Sequence, residues 1–313
     1  MTFPTIKKQK RGFTLLELLV AMGVTSFLIV ILVAMTGVAI DSWRQSRDDI
    51  RGSKLGRIAL EAVGRDFQSL VRPRGNVNEW LVAQVEQELQ SGSNLAGPAG
   101  STIPNAVQVV FFAAPTDRYD GDVANPNNPG DVSALSYRLV YRDPILDQDP
   151  GGGADDPSTF TLYRQLVNPN EAFVNLYQVP DLLSAYQGSY GNNDLTAQNF
   201  LVENIYEFTL TFLIEHEEEE NGQVVTHRDY VPITFNAGTG GGAVQELRVF
   251  GDRIQTVPAD PEIEQGRIVG VNISVTVLTD EGLTLARRGD IDQGDLIERF
   301  SYRYSRFVNT PSS

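Results

Sequence analysis

The sequence lacks cysteine entirely and holds only two histidines among its 313 residues. Without cysteine, disulfide bonds and thiolate metal sites are excluded. The sequence also offers no Ser-His-Asp or Cys-His arrangement for nucleophilic catalysis, so no enzymatic activity is predicted. Basic residues are scarce as well: 25 Lys and Arg stand against 40 Asp and Glu, which leaves a formal net charge of −15. Nucleic acid and anionic lipid surfaces repel such an acidic protein, which argues against both as partners.

Charged residues are also missing from residues 18–40, which are apolar throughout most of their length. As a helix this run spans about 35 Å, enough to cross a hydrocarbon core of roughly 30 Å. The basic residues that precede the run are Lys7, Lys8, Lys10 and Arg11. Because positive flanks stay in the cytoplasm, the chain after residue 40 is predicted to lie on the far side of the membrane.

Two general interpretations explain part of this segment. A cleaved secretory signal could end near Gly37-Val38-Ala39, although the apolar stretch exceeds the usual length of about 7–15 residues. A plain signal anchor explains the length and the basic flank. It leaves unexplained why the acidic residue Glu17 stands at the start of the apolar run, where an ionised carboxylate is costly.

A third interpretation accounts for Glu17. The stretch KRGFTLLE (residues 10–17) resembles the class III signal of type IV pilins and of the pseudopilins of type II secretion. The resemblance implies that a membrane peptidase cuts after Gly12 and methylates the new N-terminal residue, Phe13. It also implies that Glu17 pairs with the Phe13 amine of an assembled neighbour and so sets the stagger between subunits. Such a pair recovers much of the roughly 2.5–3.5 kcal/mol that an unpaired acid costs at the membrane centre.

The resemblance divides the N-terminal region into three parts. Residues 1–12 are the leader peptide, and residues 13–40 are the transmembrane and assembly half of one long helix. Residues 41–72 are its amphipathic half. Apolar residues recur there at spacings of three and four, which places them on one helical face; they are Leu55, Ile58, Ala59, Ala62, Val63, Phe67 and Leu70. A separate helix after a break at Gly52 remains the alternative.

Glycines and charges within residues 41–72 carry two further expectations. Gly52, Gly56 and Gly64 weaken a helix by up to about 1 kcal/mol each, which suggests bending or close packing. The stretch RDFQ (65–68), with Arg72 beyond it, resembles the end of this helix in pseudopilin J and minor pilin W proteins. The alternative is an exposed charged face with Phe67 alone in the core.

Residues 73–313 are predicted to form an extracytoplasmic, β-rich globular domain. Apolar residues alternate with polar or small ones over 205–215 and 269–277, which indicates strands with one buried face. Asn221-Gly222 is a hairpin turn signal, since both positions accept a positive φ. Further strands are predicted at 106–113, 132–142, 159–166 and 244–250 and in the C-terminal stretch RFSYRYSRFVN, and a short helix is considered within 171–187.

Together these patterns predict an α+β fold, in which the long N-terminal helix packs on a mostly antiparallel β-sheet. This is also the plan of the pilins that the N-terminal stretch resembles. The stretches VSALSYRLVYRD and FTLYRQLV are similar to the strands that follow the helix in the W and J branch. Large loops are expected at 116–131 and 147–158.

Metal sites are only weakly indicated. Asp147, Asp149 and Asp155 surround three glycines and could bind Ca²⁺, but the loop lacks the closing Glu of a calcium loop. A solvated acidic loop is the preferred interpretation, and no other cofactor is expected. His216 and His227 stand on opposite arms of the predicted hairpin, where a bridging metal is the less favoured alternative to a solvated tip.

The resulting functional hypothesis is structural. The chain resembles a subunit, of the minor class, of a type IV pilus-like or type II secretion pseudopilus filament, anchored by one pass in the bacterial inner membrane. Its implied partners are other pilin or pseudopilin subunits, the prepilin peptidase and the inner-membrane assembly platform. The alternatives are a membrane-anchored binding module for a secreted substrate, a surface or Ca²⁺, and a tethered periplasmic enzyme.

Overall fold

A computed structural model describes residues 14–73, 77–86, 105–115, 131–146, 157–191, 194–220, 223–235 and 242–311. The chain forms two compact units, Met1–Ile50 and Arg51–Ser313. The helices are α1 (Leu15–Gln68), α2 (Pro169–Asn175), α3 (Leu182–Tyr190), α4 (Asp280–Arg288) and α5 (Gln293–Phe300). The strands are β1 (Glu79–Val85), β2 (Val107–Ala113), β3 (Ser133–Arg142), β4 (Thr159–Val167), β5 (Phe200–Glu203), β6 (Ile205–Glu220), β7 (Gln223–Pro232), β8 (Glu246–Phe250), β9 (Arg253–Val257), β10 (Arg267–Leu278) and β11 (Ser301–Asn309).

The N-terminal helix α1 is continuous through Gly52, so the alternative of a separate helix after a break there is wrong. The helix ends at Gln68, four residues before the predicted end at residue 72. Beyond it the chain joins β2, because the Val71 N–H donates to the Phe112 carbonyl at 2.9 Å. Pro73 disfavours helical geometry at the residue before it, which agrees with an extended chain at this point.

The strands form two antiparallel sheets, which confirms the predicted α+β fold. Sheet A has the order β5-β4-β3-β2-β1-β8-β9, and sheet B has the order β11-β10-β6-β7. Every neighbouring pair in both sheets is antiparallel. Two isolated parallel bridges, Ala106–Phe208 and Ile233–Val244, connect the sheets. Most of the paired strands are consecutive in the chain, and β6–β7 and β8–β9 are joined by short turns, as antiparallel pairing allows.

Most predicted strands are confirmed to within two or three residues, and β6 and β7 form the predicted hairpin. The Asn221-Gly222 turn itself lies outside the described residues, as do parts of both predicted large loops. The predicted helix within 171–187 is instead two helices, α2 and α3, because Pro180 precedes the α3 N-cap Asp181. Helices α4 and α5 were not predicted; each is short and begins at a capping side chain, Thr279 or Asp292.

The core lies where residues 51–68 of α1 meet the inner faces of both sheets. Ala59, Val63 and Phe67 are fully buried there, as predicted. The Phe67 ring stacks on Phe111 of sheet A at 4.5 Å between centroids and meets Phe212 of sheet B edge-on at 6.2 Å. Ile58, which was predicted to share this face, is 38% exposed, so the buried face is narrower than expected.

The glycines of α1 allow close packing against β11. A Cβ atom added at Gly56 would lie 2.4 Å from Cδ2 of Tyr304, and one at Gly52 would lie 3.0 Å from Cδ2 of Tyr302. These aromatic rings therefore occupy the space that side chains would fill on this face of the helix. Close packing, one of the two predicted roles of these glycines, is confirmed.

Replacing Gly56 with alanine is expected to destabilise the domain. Overpacking against the root of the Tyr304 ring costs roughly 1–3 kcal/mol, more than the gain of up to about 1 kcal/mol in helix propensity. Gly64→Ala is the matched control, since its new Cβ would lie 3.2 Å from a methyl group of Val308, a much smaller overlap. Urea denaturation of the full chain in detergent should rank Gly56→Ala below Gly64→Ala, and equal stabilities would contradict the packing argument.

Candidate assembly site

Glu17 lies in the first turn of α1 and closes a capping box with Thr14. The backbone N–H of Thr14 donates to Glu17 Oε2 at 3.0 Å, and the Thr14 hydroxyl donates to the same oxygen at 3.1 Å. In return the Glu17 N–H donates to Thr14 Oγ1 at 3.2 Å. Thr-x-x-Glu is the sequence signature of this motif, and it satisfies backbone groups that a helix start leaves unpaired. This second role of Glu17 was not predicted from the sequence.

The predicted processing site precedes this capping box directly. Gly12 and Phe13 lie outside the described residues, as do the basic residues of the leader, Lys7, Lys8, Lys10 and Arg11. The described helix starts at Leu15, so Glu17 is already part of a formed turn. The roles assigned to Gly12, Phe13 and Glu17 therefore stay predictions, and the capping box defines the local structure in which Glu17 acts.

The part of α1 that follows Glu17 is long and apolar enough to cross a membrane. Two of its hydroxyl groups are satisfied within the helix: Thr25 donates to the Ala21 carbonyl at 2.6 Å and Thr36 to the Leu32 carbonyl at 2.8 Å. Internal satisfaction of polar groups is the condition for crossing hydrocarbon. Apart from Glu17 at its start, this segment is suited to a lipid environment.

A buried ionic cluster around Asp66 links residues 51–68 of α1 to sheet A. The Asp66 carboxylate is fully buried and accepts two hydrogen bonds from Arg164 on β4, from Nε at 2.7 Å and from the terminal nitrogen at 3.1 Å. The Tyr137 hydroxyl on β3 donates to the same carboxylate. Burial, followed by the nearby Asp66 charge, raises the pKa of Tyr137 well above its usual range, so its hydroxyl stays protonated.

This cluster corrects one expectation for the RDFQ stretch. Arg65 and Gln68 are exposed and Phe67 is in the core, as the alternative of an exposed charged face supposed. Asp66 is not on that face, because Arg164 neutralises its charge inside the domain. Beyond the helix end, Arg72 donates to the Ile268 carbonyl and the Thr310 hydroxyl, which links this end of α1 to sheet B.

The possible Ca²⁺ site of the acidic loop stays a prediction. Asp147, Asp149 and Asp155 lie outside it. Asp143, at the edge of the same loop, accepts hydrogen bonds from the backbone of Ile145 at 2.8 Å and Leu146 at 3.2 Å, which is a local turn. Among the described residues, no group of three His, Cys, Asp or Glu side chains is placed to hold a metal ion.

The two histidines stand directly opposite each other on β6 and β7. Their rings are stacked with centroids 5.6 Å apart and planes inclined by 22°. His216 Nδ1 lies 3.3 Å from the Asp229 carboxylate. Stacked rings present their faces to each other, and metal coordination requires ring nitrogens that converge in the ring planes. This geometry favours a packed pair over the bridging metal considered from the sequence.

An apolar groove of about 750 Å³ opens beside the end of α1. Its lining includes Val71, Phe112, Val132, Phe173 and Tyr177. The Phe173 ring stacks on Tyr177 at 5.3 Å between centroids, yet Phe173 is 68% exposed. This groove was not predicted, because its walls come from four separate parts of the chain.

Comparison with known proteins gives one finding. Residues 7–33 match the prokaryotic N-terminal methylation motif. Neither a curated protein nor a solved structure matches the chain. The match includes the predicted cleavage site, the capping box and the first half of the apolar segment. It identifies the N-terminal segment as a prepilin-type motif, which supports a pilin-like filament subunit.

Proposed function

We propose that the chain is a minor subunit of a type IV pilus-like or type II secretion pseudopilus filament. A prepilin peptidase cuts it after Gly12 and methylates Phe13. Before assembly the subunit lies in the bacterial inner membrane, with its N-terminus in the cytoplasm and its β-rich domain in the periplasm. It then joins a filament through α1, where Glu17 pairs with the Phe13 amine of a neighbouring subunit.

The observation that carries this proposal is the N-terminal methylation motif, matched in register with an acid at the start of the charge-free run of residues 18–40. Gly12, Phe13 and Glu17 all fall inside the matched residues 7–33. The apolar part of α1 suits a membrane, and residues 51–68 of the same helix pack on antiparallel sheets. The assignment to the minor class, and within it to J-like or W-like subunits, rests on the size of the globular part and on the RDFQ resemblance.

The processing step has a direct test. We expect the mature protein from native membranes to begin at N-methylated Phe13, as measured by intact mass and N-terminal peptide sequencing. Gly12→Leu should retain the entire leader, because the peptidase requires a small residue before the cut. Thr5→Ala, a leader change outside the matched residues, is the control and should be processed normally. A native chain that begins at Met1, or near residue 40, would contradict the proposal.

A second candidate function is a membrane-anchored binding module. The apolar groove with its exposed Phe173 ring favours it, since concave apolar sites lined by aromatic residues commonly hold ligands. Two variants distinguish the filament function from the binding function. Phe173→Ser should leave filament incorporation intact if the groove serves only binding, whereas a change at Glu17 should leave a membrane-anchored binder active.

A further inference from the structure

Helix α3 lies on the outer face of sheet A, where polar contacts accompany apolar ones. Neighbouring residues of a strand point to opposite faces, and Tyr137 of β3 points inward to Asp66. The outer face below α3 therefore presents residues such as Gln108 and Gln165. Gln187 of α3 donates to Gln108 at 3.2 Å, and the Tyr186 hydroxyl donates to Gln165. Leu182, Leu183 and Tyr186 of α3 are also buried in the hydrophobic core, so apolar contact contributes to holding this helix as well.

The N-terminal end of α3 contacts a buried cluster in which carboxylates outnumber guanidinium groups. Glu79 of β1 accepts a hydrogen bond from the Leu182 N–H, and its side chain is fully buried. Among the described residues, Arg248 is the one cation that faces Glu79, with its terminal nitrogen 3.5 Å from Glu79 Oε1 and 3.4 Å from Asp181 Oδ1. Arg248 also pairs with Glu246. Three carboxylates thus share one guanidinium, and among the described residues Glu79 Oε1 accepts no hydrogen bond.

A second buried carboxylate lies just beyond the C-terminal end of α3. Asp194 is 2% exposed, and its Oδ2 lies 3.4 Å from a terminal nitrogen of Arg138. Arg138 is already engaged by Glu86 at 2.8 Å. Arg142 and the Tyr186 ring are the other ionisable groups near Asp194. In the described part of the chain, Asp194 Oδ1 accepts no hydrogen bond.

We propose that α3 is a pH-sensitive cover of sheet A, docked in mildly acidic medium and loosened as the pH rises to neutral. The carboxyl groups of Glu79 and Asp194, at the two ends of α3, are the sensors. Each has one buried oxygen without a hydrogen bond, and a proton placed there removes an uncompensated charge. Lifting α3 brings both carboxyl groups into water, where they ionise at no such cost. The device is independent of whether the chain assembles into filaments.

The direction of the pH effect follows from the environment of each acid. Burial is the main cause that raises the pKa of Glu79 to about 7 and that of Asp194 to about 6. With α3 lifted, both groups return towards ordinary acidic values, so the docked state binds more protons between about pH 4 and pH 7. Docking is therefore strongest below that window and weakens as pH rises through the raised pKa values.

Hydrogen exchange of the full chain in detergent tests this inference. Amide protection of α3, relative to that of β10 in the same molecule, is expected to fall by at least about tenfold between pH 5.5 and pH 8.5. Glu79→Gln, which mimics the protonated acid, should reduce that fall to a few-fold. Glu281→Gln, at an exposed acid on α4, is the matched control and should leave the fall unchanged.

Two results would overturn the inference. One is wild-type α3 protection that changes with pH no more than that of β10. The other is a Glu79→Gln protein that keeps the wild-type fall. If Glu79→Gln does not fold, Asp194→Asn and the wild-type pH series decide the question, since Asp194→Asn should reduce the fall between pH 5.5 and pH 7.

Discussion

Replacing Glu17 with glutamine is expected to abolish incorporation into filaments while the chain still inserts into the membrane. Glutamine at this position retains an oxygen for the capping box with Thr14, so the start of α1 should be preserved. The substitution removes only the charge that the proposed pairing with a neighbour's amine requires. A loss of 1.4 kcal/mol in association free energy lowers the association constant about tenfold, so we expect filament incorporation to fall at least tenfold.

Two companion variants separate charge from capping. Glu17→Val removes both the charge and the cap, and Thr14→Val removes the hydroxyl of the capping box while leaving the carboxylate in place. The measurement is the fraction of the subunit recovered in sheared filaments compared with that in membranes. If pairing is the essential role, Glu17→Gln and Glu17→Val fail alike and Thr14→Val is affected less. Normal assembly of Glu17→Gln with failure of Glu17→Val would show that Glu17 acts only as a helix cap.

Regular patterns made much of the fold predictable. The amphipathic part of α1 and the strands β6 and β10 were predicted because a buried face repeats with the period of the element. Helices α4 and α5 have nine and eight residues and so carry too few turns for a clear period. Their start and stop signals were present, since Thr279 caps α4 and Gly289 ends it with φ of 69°.

Contacts between distant residues were not predictable in the same way. The pattern of its own helix predicts that Asp66 lies on an exposed charged face. Its burial depends on Arg164, which lies 98 residues further along the chain. The groove beside α1 and the carboxylate clusters around α3 also combine separate elements. The capping box is different, because Thr14 and Glu17 are only three residues apart. Its Thr-x-x-Glu pattern was therefore visible in the sequence.

Replacing Asp66 with asparagine is expected to cost roughly 3–5 kcal/mol of stability, because it leaves the Arg164 charge uncompensated in the interior. The Arg164 side chain is 13% exposed, so water replaces little of the lost pairing. Tyr137→Phe should cost less, about 1–2 kcal/mol, since the Asp66–Arg164 pair remains. Fluorescence of Trp80, which is 3% exposed, reports unfolding of this domain in urea.

The control for Asp66 is its exposed neighbour Arg65, whose replacement by alanine should change stability by less than about 0.5 kcal/mol. The double variant Asp66→Leu/Arg164→Leu removes both charges together. A buried ion pair replaced by apolar residues is often neutral in stability, so this variant should recover much of the loss of Asp66→Asn. If Asp66→Asn lost no more stability than Arg65→Ala, the ionic cluster would not be what fastens α1 to sheet A. The apolar contacts of α1, among them the stacking of Phe67 on Phe111, would then have to hold the helix on this sheet.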